Sequence, residues 1–464
     1  MEAIKKIFNN KYFGIFIIIL WMLLTLTSPL MRSYTTDEIH ALNIAKNFNL
    51  FEIIQIMRAE GHTFLWYMLI KPFTYFDSLM PWAIKVVNYI FMLSAIILLW
   101  IKAPFNNITK FAIIFSYPLL TLYPPYARPY GIGIFLLFLL ALFYKKRLNH
   151  PILYSILIFL TANTSLMNFV GASAFGLIFF YDIIKEQNKK HLIYVSIIAF
   201  ITCALLYIQW HNPIKPDYIF DDLWYINLRD SFIIKNFEPF NPAIMIPICF
   251  LVYLSIPPVL ITCFKNNKRV LFFTFYTFLS LLGIFSLAYA GFQWHHMFFY
   301  IYIVIAYWLF AETEPDSARY KNTFIILFCA LTIILSFRPI QWVCWGRDHF
   351  LTRAILKNNF ETGSTLFMNS GTNAIFLIYD SEGLILKDLK GNPLISVENY
   401  LNSYIINKKI IDLNKLKKEA PPKSYLIVTA EYIKLSKKMT KNKNFFKNNE
   451  PIMHHHDKFI FKLK

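Results

Sequence analysis

Charged residues are scarce in this chain: 16% of its 464 residues are Asp, Glu, Lys or Arg, where a soluble protein carries roughly 25%. That deficit argues against an ordinary soluble globular protein. Glycine is also sparse, with 13 residues. No P-loop, dinucleotide-binding glycine pattern or G-x-S-x-G elbow occurs, so nucleotide-driven and serine-hydrolase mechanisms have no support. The five cysteines (Cys203, Cys249, Cys263, Cys329, Cys344) are scattered, four of them in apolar runs. No pair has metal-ligand spacing, and they say little about redox compartment.

Apolar sequence is abundant instead. Hydrophobic residues make up 57% of the chain and aromatics 18%. Several uncharged runs approach the roughly 20 residues needed to cross a hydrocarbon core. The first, 12–30, follows Lys5, Lys6 and Lys11. Its end lacks the small-residue pattern of a signal-peptidase site, so it reads as a retained anchor. Further spans are expected near 81–101, 110–124, 128–145, 150–166, 168–184, 191–209, 242–264, 270–291, 294–311 and 322–338, about eleven in all. The basic clusters Lys102/Lys110, Lys145–Arg147, Lys185–Lys190, Lys265–Arg269 and Arg319–Lys321 then fall on one side, with the N-terminal lysines. By the charge rule that side is the cytoplasm. The net charge of +19 is accounted for by these orientation signals and by contact with anionic lipid, rather than by nucleic acid.

The segment 62–76 tests this scheme, because counting it as a span would invert every later loop. It is short, interrupted by Lys71-Pro72 and rich in Trp and Tyr, so it reads as a helix lying at the interface. Residues 32–80 then form one outer loop. From about residue 339 the composition becomes Lys- and Asn-rich, with strand-like patches at 424–430 and 458–463 and helix-like stretches at 397–406 and 431–439. The expected fold is therefore mostly α. A polytopic transmembrane domain spans 1–338, and a small soluble α/β domain at 339–464 lies outside the cytoplasm. The triple His454-His455-His456 reads as a surface stretch.

Candidate functional residues collect on the outer face. Asp37-Glu38 follows the first span. A carboxylate there can take a proton from an acceptor hydroxyl or amine. On a non-helical segment two neighbours point apart, so one can act as base while the other holds a cation or a sugar hydroxyl. An N-cap of a following helix explains the same residues equally well. Glu60-Gly61-His62 ends the loop. His62 can bind a phosphate oxygen or move a proton near neutral pH, or can simply be a half-exposed interfacial side chain. In Tyr126-Ala-Arg128-Pro-Tyr130, an arginine close to hydrocarbon needs a partner or a task, and its forked donors suit a phosphate. His295-His296 opens a late span. On a helix the two point about 100° apart, one toward a site and the other toward lipid headgroups. The loop 209–241, with Trp210, His211, Asp221, Asp222, Trp224 and Arg229, reads as facing substrate.

The stretches 37–45 and 58–67, joined by the turn 123–130 and by His295-His296, resemble the GT-C glycosyltransferases. The closest likeness is to the branch of protein O-mannosyltransferases and the lipid A aminoarabinose transferase. The likeness is good over about 60 residues and loose over the rest. It implies inverting transfer of a sugar from a polyprenyl-phosphate donor to a lipid, glycan or protein acceptor. Asp37 would then be the base and Glu38 its catalytic neighbour, while Glu60, His62, Arg128, Tyr130, His295 and His296 would bind donor phosphate or substrate. Where that family follows its loop histidine with proline, this chain has Thr63-Phe64. No cofactor is required, although Glu38 with His62 can in principle hold a divalent metal. The expected location is a bacterial inner membrane with the site outside. A lipid-linked glycan flippase or transporter is the rival class; it calls for midplane charges and internal repeats, and neither is seen.

Overall fold

The computed structural model describes residues 12–31, 36–60, 62–74, 83–211, 261–262, 264–288, 291, 293–314, 360–368, 384–393, 411–429, 432–433, 436–437, 440–455 and 458–464. It is mostly helical, with one small sheet. The apolar run after the N-terminal lysines forms α1 (Phe13–Met31). Two short helices follow, α2 (Thr36–Asn47) and α3 (Leu50–Ile56). Asn49 and Glu52 start α3 with a reciprocal capping box, in which each side chain satisfies one of the otherwise unpaired first N–H groups.

The interfacial segment forms α4 (Leu65–Ile70) and a single 3-10 turn, Lys71–Phe73. At six residues α4 is far too short to cross a bilayer. Lys71 is placed usefully: its Nζ donates to the carbonyls of Ala45 (2.7 Å) and Phe48 (2.8 Å). Those are among the unpaired C=O groups at the end of α2, where a cation is favoured.

The bundle then runs through α5 (Ala83–Lys102), α6 (Asn107–Ile114), α7 (Tyr130–Phe143), α8 (Pro151–Ala162), α9 (Leu166–Glu186) and α10 (Lys189–Trp210). It continues with α11 (Lys268–Gly283), the single turn α12 (Gln293–His296) and α13 (Phe298–Thr313). Among the described residues five segments are long and apolar enough to cross a membrane: Ile84–Lys102, α9, α10, Lys268–Leu287 and Trp294–Thr313. Phe13–Leu26 and α8 are shorter apolar helices. The expected span at 110–124 is not one continuous helix. After α6 the chain bends and resumes as a π-type turn, Pro118–Leu122. Pro118 has no N–H to continue the ladder, and Ser116 Oγ bonds back to the Ile113 carbonyl at 2.6 Å. The expected spans at 322–338 and over most of 242–264, the residues Asp221, Asp222, Trp224 and Arg229, and the helical stretch expected at 397–406 lie outside the described residues.

Residues Phe298–Ala311 of α13 are all buried, as befits a helix that is apolar on every side and sits inside the bundle. It packs on α11 and α7. Gly131 and Gly133 open close approaches to α7. A Cβ on Gly131 would lie 2.2 Å from Asn88 Oδ1, and one on Gly133 would lie 1.8 Å from Asn168 Nδ2. Two asparagines from neighbouring helices therefore reach the first turn of α7. Side-chain caps also start four of the longer helices: Asn106 on α6, Ser165 on α9, Asn188 on α10 and Asn267 on α11. Gln187, in the left-handed region at φ 58°, turns α9 sharply into α10.

Between Thr365 and Lys462 five strands form one sheet: β1 (Thr365–Met368), β2 (Ile385–Asp388), β3 (Ser424–Thr429), β4 (Met453–His455) and β5 (Lys458–Lys462). Their order is β2-β1-β3-β5-β4. The first three are parallel; β5 joins β3, and β4 joins β5, antiparallel. Helices α14 (Leu413–Glu419) and α15 (Thr440–Asn448) pack on one face, around Leu413, Leu416, Leu426, Val428, Phe445 and Phe461. His454 and His455 fall in β4.

Candidate functional site

Seven separate stretches of sequence meet at one end of the bundle. The first is the start of α2. Asp37 and Glu38 occupy its first turn, so the pair is helical rather than on an extended segment. The positive end of the helix dipole favours carboxylates there. The two side chains still diverge, because successive helical residues are about 100° apart. Asp37 is partly exposed, while Glu38 is fully buried.

Glu38 has a structural connection at each oxygen. Its Oε1 accepts the Ala127 backbone N–H at 2.7 Å, and its Oε2 lies 3.7 Å from Lys85 Nζ. Asn88 Nδ2 donates to the carbonyls of Tyr123 (3.0 Å) and Pro124 (3.1 Å), and Tyr123 Oη donates to the Trp294 carbonyl at 2.8 Å. Together these bonds fix the proline-rich turn 123–130. From that turn Arg128 Nη1 donates to the Asp37 carbonyl at 2.8 Å, and Tyr126 Oη donates to Asp37 Oδ2 at 3.2 Å.

Glu60 and His62 approach from the loop between α3 and α4. His40 Nε2 and Glu60 Oε1 share a 2.5 Å hydrogen bond, and Tyr67 Oη donates to Glu60 Oε2 at 3.2 Å. His62 is bridged to Ser165 in antiparallel fashion. Phe64 and Leu65, which follow in the loop, are tied down as well. The Phe64 N–H donates to Gln209 Oε1 at 2.8 Å, Gln209 Nε2 donates to Asn163 Oδ1 at 3.2 Å, and the Leu65 N–H donates to the Asn163 carbonyl at 3.1 Å. The Thr63-Phe64 departure thus carries its own anchor, because phenylalanine keeps the N–H that proline would lack.

His62 is buried and stands edge-on to Tyr130, with ring centroids 5.6 Å apart. Tyr130 Oη and His295 Nε2 share a 2.7 Å hydrogen bond. Trp294 packs on Tyr126 at 5.0 Å. His296 is buried against Phe285 at 4.4 Å, beside the left-handed Gly291. It therefore does not face headgroups as expected, because the single turn α12 swings it into the bundle. His62 is likewise not half-exposed.

The electrostatics follow from this crowding. Burial, then the positive fields of Arg128, His295 and His40, hold His62 well below the ordinary imidazole range, so it is neutral at pH 7. Burial and the neighbouring Glu60 push Tyr67 up, and burial and Asp37 push Tyr126 up. The Asp37 carboxylate and the surrounding tyrosines offset the burial of the Arg128 charge. Among the described residues Arg128 Nε and His62 Nδ1 are buried without a hydrogen-bond partner, as is Trp66 Nε1 on α4. Leaving such groups unmatched costs about 1–3 kcal/mol each; an acceptor oxygen would satisfy Arg128 Nε, and His62 Nδ1 as well in the tautomer that carries its proton there. Among the described residues no group of three His, Cys, Asp or Glu side chains is placed to hold a metal ion.

Asp37, Glu38, Glu60, His62, Arg128, Tyr130 and His295 thus come together, with His296 behind them. Sequence reasoning gave no role to His40, Tyr67, Lys85 or Gln209, and named Tyr126 only as part of the Arg128 motif. Lys85 carried a readable signal, a cation at the start of an apolar helix; the others are ordinary polar residues until the chain folds. No protein-family model matches the chain, and no curated protein matches it.

Proposed function

We propose that the chain is an integral-membrane glycosyltransferase of the GT-C kind, moving a sugar from a polyprenyl-phosphate donor to an acceptor on the extracytoplasmic face. One observation carries this reading. A partly exposed carboxylate, Asp37, sits beside a buried guanidinium, Arg128, which donates to the Asp37 backbone carbonyl and whose Nε is unpartnered. A base and an anion-binding group side by side suit displacement of a phosphate leaving group by a hydroxyl or amine. The resemblance of 37–45 and 58–67 to the first outer loop of that superfamily supports it.

In the proposed reaction the acceptor O–H or N–H loses its proton to the Asp37 carboxylate. The freed electron pair forms a bond to the anomeric carbon with inversion. The bond from that carbon to the phosphate oxygen breaks, and its electrons stay on the lipid phosphate. Arg128 supplies the positive charge that stabilises the departing phosphate, and His62 donates to it in the tautomer that carries its proton on Nδ1. A cation about 4 Å away contributes on the order of 4 kcal/mol at an effective dielectric of 20. Glu38 acts through the Ala127 N–H, holding the turn that carries Arg128. In this reading about eleven spans put the N-terminus inside the cytoplasm and the sheet region, as a soluble domain, outside it. The membrane is a bacterial plasma membrane.

The test is incubation of membranes with radiolabelled polyprenyl-phosphate sugar. Label leaving the lipid in wild-type membranes, and remaining on it with the Asp37→Asn variant, is the expected result. Label crossing the bilayer with its lipid bond intact would replace this reading with a flippase.

A further inference from the structure

We infer that the outer face of the α14–α15 pair docks on an anionic phospholipid surface. The residues from 411 to 464 include 13 lysines and no arginine, against 5 Asp and Glu. The fold gathers part of that charge on one face. The two helices lie side by side and run the same way: the Leu413 N–H donates to Asn442 Oδ1 at 2.9 Å at one end, and Lys417 Nζ donates to Asn449 Oδ1 at 2.5 Å at the other. Leu413, Leu416 and Phe445 turn into the core against the sheet. The opposite face therefore presents Lys415, Lys418, Lys443 and Lys447, all exposed. The acidic residue among them, Glu419, lies 3.8 Å from Lys415 as an exposed pair, and such a pair is weak.

The chemistry selects the partner. Arginine, the residue that grips a discrete phosphate through two parallel bonds, is missing from this region. Lysine is a hydrated point charge on a flexible stem, suited to a diffuse array of headgroups. Among the described residues here the exposed large apolar side chains are Ile385 and Ile452, and neither lies on the helix pair. The attraction is therefore electrostatic and does not involve insertion of an apolar face. The same chain carries helices long and apolar enough to cross a membrane. Tethering keeps the local concentration of a nearby surface high, so a weak attraction suffices.

The test uses the full chain in nanodiscs and a membrane-impermeant amine reagent, reading the initial modification rate at each lysine. In discs with about 30% phosphatidylglycerol, Lys415, Lys418, Lys443 and Lys447 should react several-fold more slowly than in pure phosphatidylcholine discs. The gap should close near ~0.5 M salt, where screening shortens to a few ångströms. Lys423, exposed in the turn before β3 and bound to Glu361, is the internal reference and should be unaffected. The double variant Lys443→Gln/Lys447→Gln should lose most of the protection at Lys415 and Lys418. Equal rates in the two discs, salt-insensitive protection, or equal slowing at Lys423 would overturn the inference. So would protection by soluble polyphosphate in phosphatidylcholine discs with none from phosphatidylglycerol.

Discussion

The two ends of α7 and α9 each hold a carboxylate beside arginine, and they use the pairing differently. At one end Asp182 accepts from Arg147 Nε (2.9 Å) and Nη2 (2.5 Å) on one oxygen and from Arg269 Nη2 (2.5 Å) on the other. Arg147 also bonds the Tyr144 carbonyl and lies 4.0 Å over the Tyr144 ring. Asp182 is buried, and every nitrogen of Arg147 has a partner. At the other end, on the order of 20 Å away along α7, Arg128 spends one nitrogen on the Asp37 carbonyl and leaves Nε unmatched, while Asp37 stays partly exposed. A closed cluster of this kind clamps three helices together. In the open one the unmatched Arg128 Nε costs about 1–3 kcal/mol, which a water or a ligand oxygen would recover, and an unmatched buried group of this kind beside an exposed carboxylate marks a candidate site. The difference in satisfaction, more than the presence of charge, separates a structural site from a candidate active site.

Substitutions at the two ends should have opposite consequences. The largest effect is expected from Asp37→Asn: transfer should fall by about 10²–10⁴ with no loss of folded protein, read as label transfer per unit of inserted chain. Asp182→Asn should behave in the opposite sense. It leaves two guanidinium groups facing a neutral amide, at a cost of about 3 kcal/mol, the lower end for a broken buried pair because Arg269 is half exposed. Thermal unfolding in detergent should register that loss, while the turnover of folded molecules stays near wild type. Arg128→Lys retains the charge but removes the fork. A rate loss of about 10²–10³ is expected, with stability little changed.

Smaller effects sharpen the picture at the open end. Gln209→Ala strands the Phe64 N–H and should cost about 1–3 kcal/mol, with a rise in proteolytic sensitivity of the loop at 60–64. His62 supplies a pH test. Its pKa in the folded chain lies well below the ordinary 6.5, so the unfolded chain binds the extra proton first. Its contribution to stability is present above pH 6.5 and is lost as pH falls below it. His62→Gln should flatten that part of the stability–pH curve; an unchanged slope would mean that His62 is not buried and neutral.

Much of the helical part was legible because apolar length and basic flanks are local signals. The runs at 81–101, 168–184, 191–209 and 294–311 correspond to α5, α9, α10 and α12–α13. The interruption at Ser116-Tyr117-Pro118 was missed, since a proline in an apolar run reads the same whether it kinks a helix or ends one. Asp37, Arg128 and His62 stood out because a charge or an imidazole at a helix end is expensive without a reason. Their environment was not readable. The division of labour between Asp37 and Glu38 depends on which one the Ala127 N–H meets, and that contact joins residues 89 apart in sequence. Gln209 and Asn163, which hold the His62 loop, are common polar residues whose role exists only after α8 and α10 have packed.

The most direct test of the central claim is release of radiolabelled sugar from polyprenyl phosphate by purified chain in nanodiscs, comparing wild type with Asp37→Asn and Asp182→Asn. The open-end account predicts release by wild type and by the folded fraction of Asp182→Asn, and none above background by Asp37→Asn. Release by Asp37→Asn at the wild-type rate would contradict it.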